Sequence, residues 1–183
     1  PEPGLLVLDE AYAEFAPDDA IPRIDPNDDR AIRFRTFSKA YGMAGARIGY
    51  AIGPAELIAG FDRIRNHFGI NRIAQAGALA ALQDQDWLNH IRAEVAVARA
   101  RITEIADENG LTALPSATNF VAIDCRRDGA FARALLDALA VRGIFARMPG
   151  VAPMDRCIRV SCGPAEELDA FAGALPAALR AIL

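Results

Sequence analysis

The chain has 183 residues, of which 52% are hydrophobic and 24% are charged, with a formal net charge of −4. This composition predicts a folded protein of one domain or two small ones, and the negative charge without a block of Lys or Arg argues against a nucleic-acid surface. No apolar run reaches the roughly 18–20 residues of a membrane span and no leader pattern opens the chain, so we expect a cytoplasmic protein without a membrane partner.

The first predicted element is a strand over Leu5-Leu6-Val7-Leu8 that ends at Asp9. A short apolar run of this kind is typical of a strand that is buried on both faces of a parallel sheet. Ligands gather at the carboxyl ends of strands in such sheets, so Asp9 is either a cofactor contact or an ordinary turn or capping residue. The spacing alone leaves both interpretations open.

The next segment, residues 16–30, is rich in Pro and Asp and predicts a surface loop with a short helical turn. Alternating apolar and charged side chains from Ala31 to Phe37 then predict a second strand. This strand carries Lys39 just past its carboxyl end.

Lys39 is the only lysine among the 20 Lys and Arg residues of the chain. A genome that favours arginine codons accounts for the excess of Arg, but a position that keeps lysine against this bias is one where a primary amine is needed. An amine can lose its proton and attack a carbonyl carbon, whereas a guanidinium stays charged. Lys39 is therefore a candidate nucleophile.

Hydroxyl and guanidinium groups near Lys39 are suited to binding a phosphate, namely those of Thr36, Ser38 and Arg47. Three glycines follow, at positions 42, 45 and 49. Glycine permits tight turns and close backbone approach, which fits an anion site and also fits ordinary packing. The spacing G-x-x-G-x-x-x-G differs from the G-x-G-x-x-G of a dinucleotide-binding loop, so we discount that loop.

The run from Ser38 to Tyr50 reads Ser-Lys-Ala-Tyr-Gly-Met-Ala-Gly-Ala-Arg-Ile-Gly-Tyr. It resembles the Schiff-base lysine signature of the class I/II, or fold type I, pyridoxal-phosphate aminotransferases, most closely the histidinol-phosphate aminotransferase branch. The run Asp9-Glu10-Ala11-Tyr12 resembles another element of the same family. The resemblance covers nearly the whole chain but only about half of a typical family member, so we expect a carboxyl-terminal fragment.

The resemblance implies pyridoxal 5'-phosphate as the cofactor, held as a Schiff base on Lys39. It also implies that Asp9 pairs with the pyridine nitrogen and that Tyr12 gives its hydroxyl to the ring oxygen. The phosphate contacts that it implies are those of Ser38 and Arg47, with Thr36 close by.

After this motif, the pattern predicts a short strand at 49–53, a helix from Pro54 to about Asn66 and an Ala-rich helix from Arg72 to Gln83. The family more often has Pro-Phe-Asn where this chain has His67-Phe68-Gly69. The identity of the substrate therefore stays open.

A long helix is predicted from Asp86 to the capping pair Asn109-Gly110, and it would link two domains. Its predicted apolar stripe consists of Trp87, Ile91, Val95, Ile102 and Ile105. Strands are then expected over 119–124, 144–147 and 157–161, and helices over 130–141 and from Pro164 onward. The inward residues predicted for these two helices are Phe131, Leu135, Leu139, Leu168, Phe171, Ala172 and Leu175.

Arg159 lies in the run Cys157-Ile158-Arg159-Val160-Ser161-Cys162-Gly163, among apolar strand neighbours. An arginine on a strand is usually a solvated edge residue. The resemblance implies instead that Arg159 binds the α-carboxylate of the substrate through a bidentate pair. Asn119 matches a further family element, to which we assign no role.

The three cysteines, Cys125, Cys157 and Cys162, are odd in number and lack C-x-x-C spacing. Free buried thiols are expected rather than a disulfide framework or a zinc site. His67 and His90 are the only histidines and lie outside any metal-ligand pattern, so no metal site is predicted.

The resemblance implies an α/β, aspartate-aminotransferase-like fold. Residues 1–85 would complete a large, mostly parallel-sheet α/β/α domain that binds the cofactor, and 86–183 would form a small α+β domain. The full-length protein would be a homodimer.

The implied function is transamination between an amino acid, or a histidinol-phosphate-type substrate, and a 2-oxo acid. A decarboxylase or lyase of the same fold is one alternative, and a non-catalytic effector domain of a transcription regulator is another. The resemblance places half of the cofactor pocket in the amino-terminal part of the family, so we expect the 183-residue chain alone to be inactive and to bind the cofactor poorly.

Overall fold

A computed structural model of the chain describes residues 4–183. The chain divides into two compact units, of which the first ends at Arg92 and the second begins at Ala93. The dividing point lies within a long helix, and each unit has its own sheet.

The first unit is built on a three-stranded sheet with the order β1-β2-β3. Its strands are β1 (Leu6–Asp9), β2 (Ala31–Thr36) and β3 (Gly49–Ile52). β1 and β2 are parallel, with Asp9 opposite Phe34, whereas β3 is antiparallel to β2. The parallel pair brings the carboxyl ends of β1 and β2 to the same edge of the sheet. Asp9, the last residue of β1, and Lys39, three residues after the end of β2, therefore both lie at this edge.

The side chains of β1 are more exposed than the sequence predicts. Leu5 and Leu6 are each 50% exposed and Val7 is 55% exposed, so the expectation of burial on both faces is wrong. Within residues 4–183, β1 is hydrogen-bonded to β2 alone. Apolar character in the sequence therefore predicted the strand but not how much of it other elements cover.

Two helices complete most of the first unit: α1 (Ala55–Asp62) and α2 (Arg72–Gln83). The bounds of α2 are those predicted, and the Asn71 side chain caps it by accepting a hydrogen bond of 2.8 Å from the Ala74 N–H. Helix α1 ends before the predicted Asn66. The loop over 16–30 contains the single 3-10 turn Asp18–Ala20, as expected.

Helix α3 (Gln85–Glu108) begins after Asp84, whose carboxylate accepts a hydrogen bond of 3.0 Å from the Trp87 N–H. Just beyond its last residue, Gly110 has a φ of +69°, and the Leu111 N–H bonds to the carbonyl of Ala106. Trp87 is 56% exposed, contrary to the predicted stripe. The better-buried positions have alternating spacings of three and four residues, and they are Leu88, Ile91, Val95, Ala98, Ile102 and Ile105. Trp87 precedes this seam by one position, which turns it away from the buried side.

The second unit contains an antiparallel sheet with the order β4-β5-β6. The strands are β4 (Thr112–Ala113), β5 (Phe120–Asp124) and β6 (Cys157–Ser161), and the helices are α4 (Gly129–Ala140) and α5 (Ala165–Ile182). The predicted inward residues Leu135, Leu139, Leu168, Phe171 and Leu175 are buried, while Phe131 and Ala172 are half-buried. This core holds the sheet and both helices together.

Two features of the second unit differ from the sequence prediction. Residues 144–147 form no strand, because only Arg147 pairs with a neighbour, in a single bridge to Arg159, and Phe145 is 83% exposed. The short strand β4 was not predicted. Two residues carry too little pattern to be distinguished from a loop.

All three cysteines lie in the second unit as free thiols, Cys125 and Cys157 buried and Cys162 half-buried. Burial raises the pKa of the Cys125 thiol and of the Cys162 thiol to about 11. Across residues 4–183, no helix is both long and apolar enough to cross a membrane.

Candidate active site

Lys39 lies in a tight loop between β2 and β3. Its neighbours Phe37 and Ala40 are buried, and the Gly42 N–H closes a turn on the Lys39 carbonyl at 2.9 Å, with Gly42 at a φ of +68°. The Met43 N–H also bonds to the Phe37 carbonyl, at 2.9 Å. These contacts fix the backbone of Lys39, while its side chain remains half-buried.

The amine of Lys39 approaches an aromatic ring that comes from the end of β1. Its Nζ lies 5.3 Å from the centroid of the Tyr12 ring. Tyr12 follows Asp9 by one turn, so the parallel pairing of β1 and β2 is what brings Tyr12 and Lys39 together. This contact joins two sequence-predicted residues that follow different strands.

Asp9 ends β1 with an exposed side chain, whose Oδ1 accepts a hydrogen bond of 3.1 Å from the Ala11 N–H. The following N–H, of Glu10, continues the ladder to the Phe34 carbonyl at 2.9 Å. Among residues 4–183, the second carboxylate oxygen of Asp9 accepts no hydrogen bond, so it is available to a ligand.

The hydroxyl of Thr36 makes its contacts with the backbone: it accepts from the Ser38 N–H at 3.0 Å and donates to the Ile48 carbonyl at 3.5 Å. Thr36 therefore shapes the turn that carries Ser38 and Lys39. Gly49 lies opposite Thr36, and a Cβ at this position would be 2.6 Å from the Arg35 carbonyl oxygen. The close pairing of β2 and β3 thus requires glycine at 49.

Arg47 ends the 3-10 turn Ala44–Ala46 in a left-handed conformation, with a φ of +52°. Its side chain is exposed, and Nη1 donates to the Ala44 carbonyl at 2.8 Å. Within residues 4–183 the side-chain hydrogen bonds of Arg47 and Asp9 are to sequence neighbours, and neither reaches another predicted site residue.

An ionic cluster that sequence reasoning missed lies next to these residues. The buried carboxylate of Glu10 accepts bonds of 2.9 and 2.7 Å from Arg33 on one oxygen and a bond of 2.9 Å from Arg35 on the other. Glu10 therefore joins the end of β1 to β2 beside Asp9. The acids after β1 and the alternating arginines of β2 are visible in the sequence, but the parallel register that pairs them is not.

Glu14 extends this cluster and lies in a pocket of about 290 Å³, whose lining includes Arg35, Tyr41 and Tyr50. Its side chain is 4% exposed, and its nearest cation is Nη1 of Arg35 at 3.7 Å. Burial raises the pKa of Glu14, and Arg35 counteracts this in part. Burial likewise raises the pKa of Tyr41.

In the second unit, Arg159 lies in β6 opposite Ala122 of β5. On its other side, Arg159 exchanges two backbone hydrogen bonds with Arg147, of 3.1 and 2.6 Å. Its guanidinium is half-buried and lies over the Phe120 ring, with 4.7 Å between the guanidinium carbon and the ring centroid. Among residues 4–183, no carboxylate forms an ion pair with Arg159, so its donors can receive an anion.

Asn119 immediately precedes Phe120 in the chain, and its carbonyl accepts a hydrogen bond of 2.9 Å from the Cys162 N–H. The bond ties the loop before β5 to the end of β6. Asn119 thus has a structural contact beside Arg159.

The first unit therefore presents an amine, a carboxylate, a phenol, a serine hydroxyl and a guanidinium around one edge of its sheet. These groups can bind an aldehyde, a protonated ring nitrogen, a ring oxygen and a phosphate. The described residues contain no group of three His, Cys, Asp or Glu side chains that could hold a metal ion.

The family model for "Aminotransferase class I and II" matches residues 2–175. The chain belongs to the class I and II aminotransferase family. Histidinol-phosphate aminotransferase of Bacillus pumilus is 39% identical over 166 residues, which are 89% of this chain and 45% of that protein. The chain spans about half the length of the curated aminotransferases it matches.

Solved structures agree with this family assignment. Histidinol-phosphate aminotransferase from Sinorhizobium meliloti, in complex with pyridoxal-5'-phosphate, is 55% identical with a TM-score of 0.94, over 98% of this chain and 50% of that one. A decarboxylase from Sulfurospirillum multivorans is 26% identical with a TM-score of 0.73, over 96% of this chain and 52% of that one. The α/β, fold type I architecture expected of the aminotransferase family is thus confirmed.

Proposed function

We propose that this chain forms part of a pyridoxal-phosphate-dependent aminotransferase. Its substrates would be an amino acid or a histidinol-phosphate-type amine, together with a 2-oxo acid. The observation that carries the proposal is the position of Lys39, the only lysine of this family member. Its side chain is half-buried, and its amine lies 5.3 Å from the centroid of the Tyr12 ring. The bound cofactor of the Sinorhizobium meliloti relative supports it.

The residues of the first unit fit this cofactor by their chemistry. Lys39 would attach it through its amine, and the carboxylate of Asp9 would hold a proton on the pyridine nitrogen. Tyr12 would donate its hydroxyl to the ring oxygen. The phosphate would be bound by Ser38 and Arg47, with Thr36 setting the turn between them.

When bound, pyridoxal phosphate supplies an electron sink for the bond that breaks at the substrate Cα. The chain's own contribution is proton transfer and orientation. The Lys39 amine, once released, would take the proton from Cα and return it to a different carbon. Arg159 would hold the carboxylate or phosphate of the substrate through the two parallel donors of its guanidinium.

We further propose the domain division given by the resemblance. Residues 1–85 would complete the large cofactor-binding domain, and 86–183 would form the small domain, with α3 at its start. The full-length protein would act as a homodimer, without a nucleic-acid or membrane partner.

The same cofactor site is compatible with decarboxylation, because the groups that hold the cofactor do not select which bond at Cα breaks. The likeness to the Sulfurospirillum multivorans decarboxylase is the specific observation that keeps this second function in view. An effector domain of a transcription regulator would instead require a DNA-binding segment elsewhere in the complete protein.

These functions are separated by product analysis. The complete protein is incubated with pyridoxal phosphate, an amino donor such as histidinol phosphate or glutamate, and a 2-oxo acid. Transamination predicts equal amounts of new amino acid and new carbonyl product. Carbon dioxide without a new amino acid would establish the decarboxylase, and no turnover together with specific DNA binding would establish the effector domain.

A further inference from the structure

Arg159 lies opposite Ala122 of β5, and on its other side its N–H and C=O both form hydrogen bonds with the backbone of Arg147. Backbone support fixes the Cα atom but leaves the long side chain free to rotate. The feature that limits this rotation is the Phe120 ring, which lies 4.7 Å beneath the guanidinium carbon. Stacking of a planar cation on a ring face within about 6 Å is attractive.

Phe120 is itself fixed by polar contacts of the preceding loop. Its carbonyl accepts from the Ser116 hydroxyl at 2.5 Å and from the Thr118 hydroxyl at 3.1 Å, and its N–H donates to the Thr118 oxygen at 3.2 Å. Arg99 of α3 in turn donates to the Thr118 carbonyl at 3.1 Å. These contacts fix the backbone of Phe120 and so set the position from which its ring reaches the guanidinium of Arg159.

The guanidinium carbon lies over the ring, and this contact takes up none of the N–H donors of Arg159 in a hydrogen bond. Among the described residues, these donors meet no carboxylate, whereas Arg156 nearby is paired with Asp124. A bidentate pair with a carboxylate lies in the guanidinium plane, so an anion and the Phe120 ring can bind Arg159 at the same time. The ring thus orients the cation without competing for its donors.

We propose that Phe120 is a positioning residue, which holds the guanidinium of Arg159 in the orientation that binds the anionic group of the substrate. Phe120 would thereby raise the affinity for substrates that carry a carboxylate or phosphate. This inference rests on the proposed role of Arg159 as the substrate's anion contact.

The test uses the complete, cofactor-loaded protein with Phe120→Leu and Phe120→Met, which remove the ring, and Phe120→Tyr, which keeps it. Loss of the ring should raise KM for amino-acid donors by roughly 3- to 30-fold, the range expected for a cation–π contact. The dissociation constant of a dicarboxylate inhibitor, measured by calorimetry, should rise by a similar factor. The value of kcat and the KM for an amine without an anionic group should stay within about twofold of the parent values, and the cofactor spectrum should not change. The same kinetic and binding parameters of Phe120→Tyr should also stay within about twofold.

Phe145→Leu is the matched control. It removes the ring beneath Arg147, 5.8 Å from that guanidinium, at a position that is 83% exposed. No change in inhibitor binding is expected from it. Two variants without a ring protect the test against a folding failure in one of them, and thermal unfolding identifies such a failure.

Arg159→Ala, alone and combined with Phe120→Leu, separates this proposal from the proposed function. If Phe120→Leu weakens inhibitor binding in the parent protein but not in Arg159→Ala, the positioning role is supported. Equal weakening in both backgrounds would overturn it, and so would unchanged binding in Phe120→Leu. If Arg159→Ala itself binds the dicarboxylate normally, the assignment of Arg159 fails and the role of Phe120 falls with it.

Discussion

Two arginines that the sequence singled out occupy different surroundings. Arg47 is exposed, lies in the loop that follows Lys39 and donates to a carbonyl three residues earlier. Arg159 is half-buried on a strand and lies over an aromatic ring. We therefore expect the cofactor phosphate, which remains bound through turnover, to depend on Arg47. The anionic group that arrives with the substrate should depend on Arg159.

Arg47→Ala should weaken binding of pyridoxal phosphate by roughly 10- to 100-fold in the complete protein, the usual range for a hydrogen bond to a charged group. Arg159→Ala should retain the cofactor and lose kcat/KM for amino acids by an amount equivalent to about 2–5 kcal/mol, since a desolvated anion loses its partner. Spectrophotometric titration measures the first effect and steady-state kinetics the second.

Arg142 provides a matched control for both substitutions. It is an exposed arginine at the end of α4 that donates to the Ala138 carbonyl at 2.7 Å, much as Arg47 donates to Ala44. Arg142→Ala should change neither quantity. Loss of cofactor from Arg159→Ala would show that Arg159 is structural, because a substrate contact has no reason to hold the cofactor.

At the level of elements, one buried acid reinforces the backbone pairing of β1 and β2. Glu10 bonds both Arg33 and Arg35 and lies next to Asp9 in the chain. Removal of one partner from a buried ionic group leaves the other charges unpaired, which is strongly destabilising. The cluster thus fixes the strand ends from which Asp9 and Lys39 extend.

Glu10→Gln should lower the free energy of unfolding by about 3–5 kcal/mol at neutral pH, because Arg33 loses its anion and Arg35 keeps only the longer pair with Glu14. Thermal and urea unfolding of the complete protein measure this change. A loss below about 1 kcal/mol would show that solvent compensates for the missing carboxylate.

Glu14→Gln should act in a different way, through the pH dependence of stability. Burial raises the pKa of Glu14, so the folded state binds this proton more tightly than the unfolded state does. Its contribution to the free energy of unfolding is therefore most favourable below the ordinary carboxyl pKa of 4.5 and declines as the pH rises through the raised value. In Glu14→Gln this decline should shrink, which unfolding midpoints at pH 4, 5.5 and 7 would measure, with the parent protein as the reference. An unchanged slope would show that Glu14 does not titrate with a raised pKa.

The elements also show how far sequence reasoning reached. Helix α2 was predicted at its true bounds, because an Ala-rich run is a local signal. The burial of Trp87 and the strand over 144–147 were predicted wrongly, because burial depends on which other elements cover a segment. The contact between Tyr12 and Lys39 requires the parallel register of β1 and β2. The bonds of Glu10 to Arg33 and Arg35 require the same register. The sequence did not predict these contacts because no local pattern encodes this register. The roles assigned to the individual site residues remain predictions.

At the level of the whole molecule, this chain spans about half the length of its curated relatives. A groove between β1, β2 and α1 is lined by apolar side chains such as Val7, Phe34 and Phe61. We expect the 183-residue chain by itself to bind pyridoxal phosphate much more weakly than the complete protein, because the resemblance places half of the cofactor pocket in the part of the family that this chain does not span. Borohydride reduction followed by mass spectrometry would then find little cofactor on Lys39. Stoichiometric labelling of Lys39 in the isolated chain would contradict this expectation.

The distribution of two rare side chains has a practical consequence for experiments on the two units. The only tryptophan, Trp87, belongs to the first unit and contacts the ring of His90, whereas all three thiols belong to the second unit. Fluorescence of Trp87 and alkylation of the cysteines are therefore separate intrinsic reporters, one for each unit. Measured on parallel samples of the same protein during denaturation, the two signals would reveal whether the units lose structure cooperatively or one at a time.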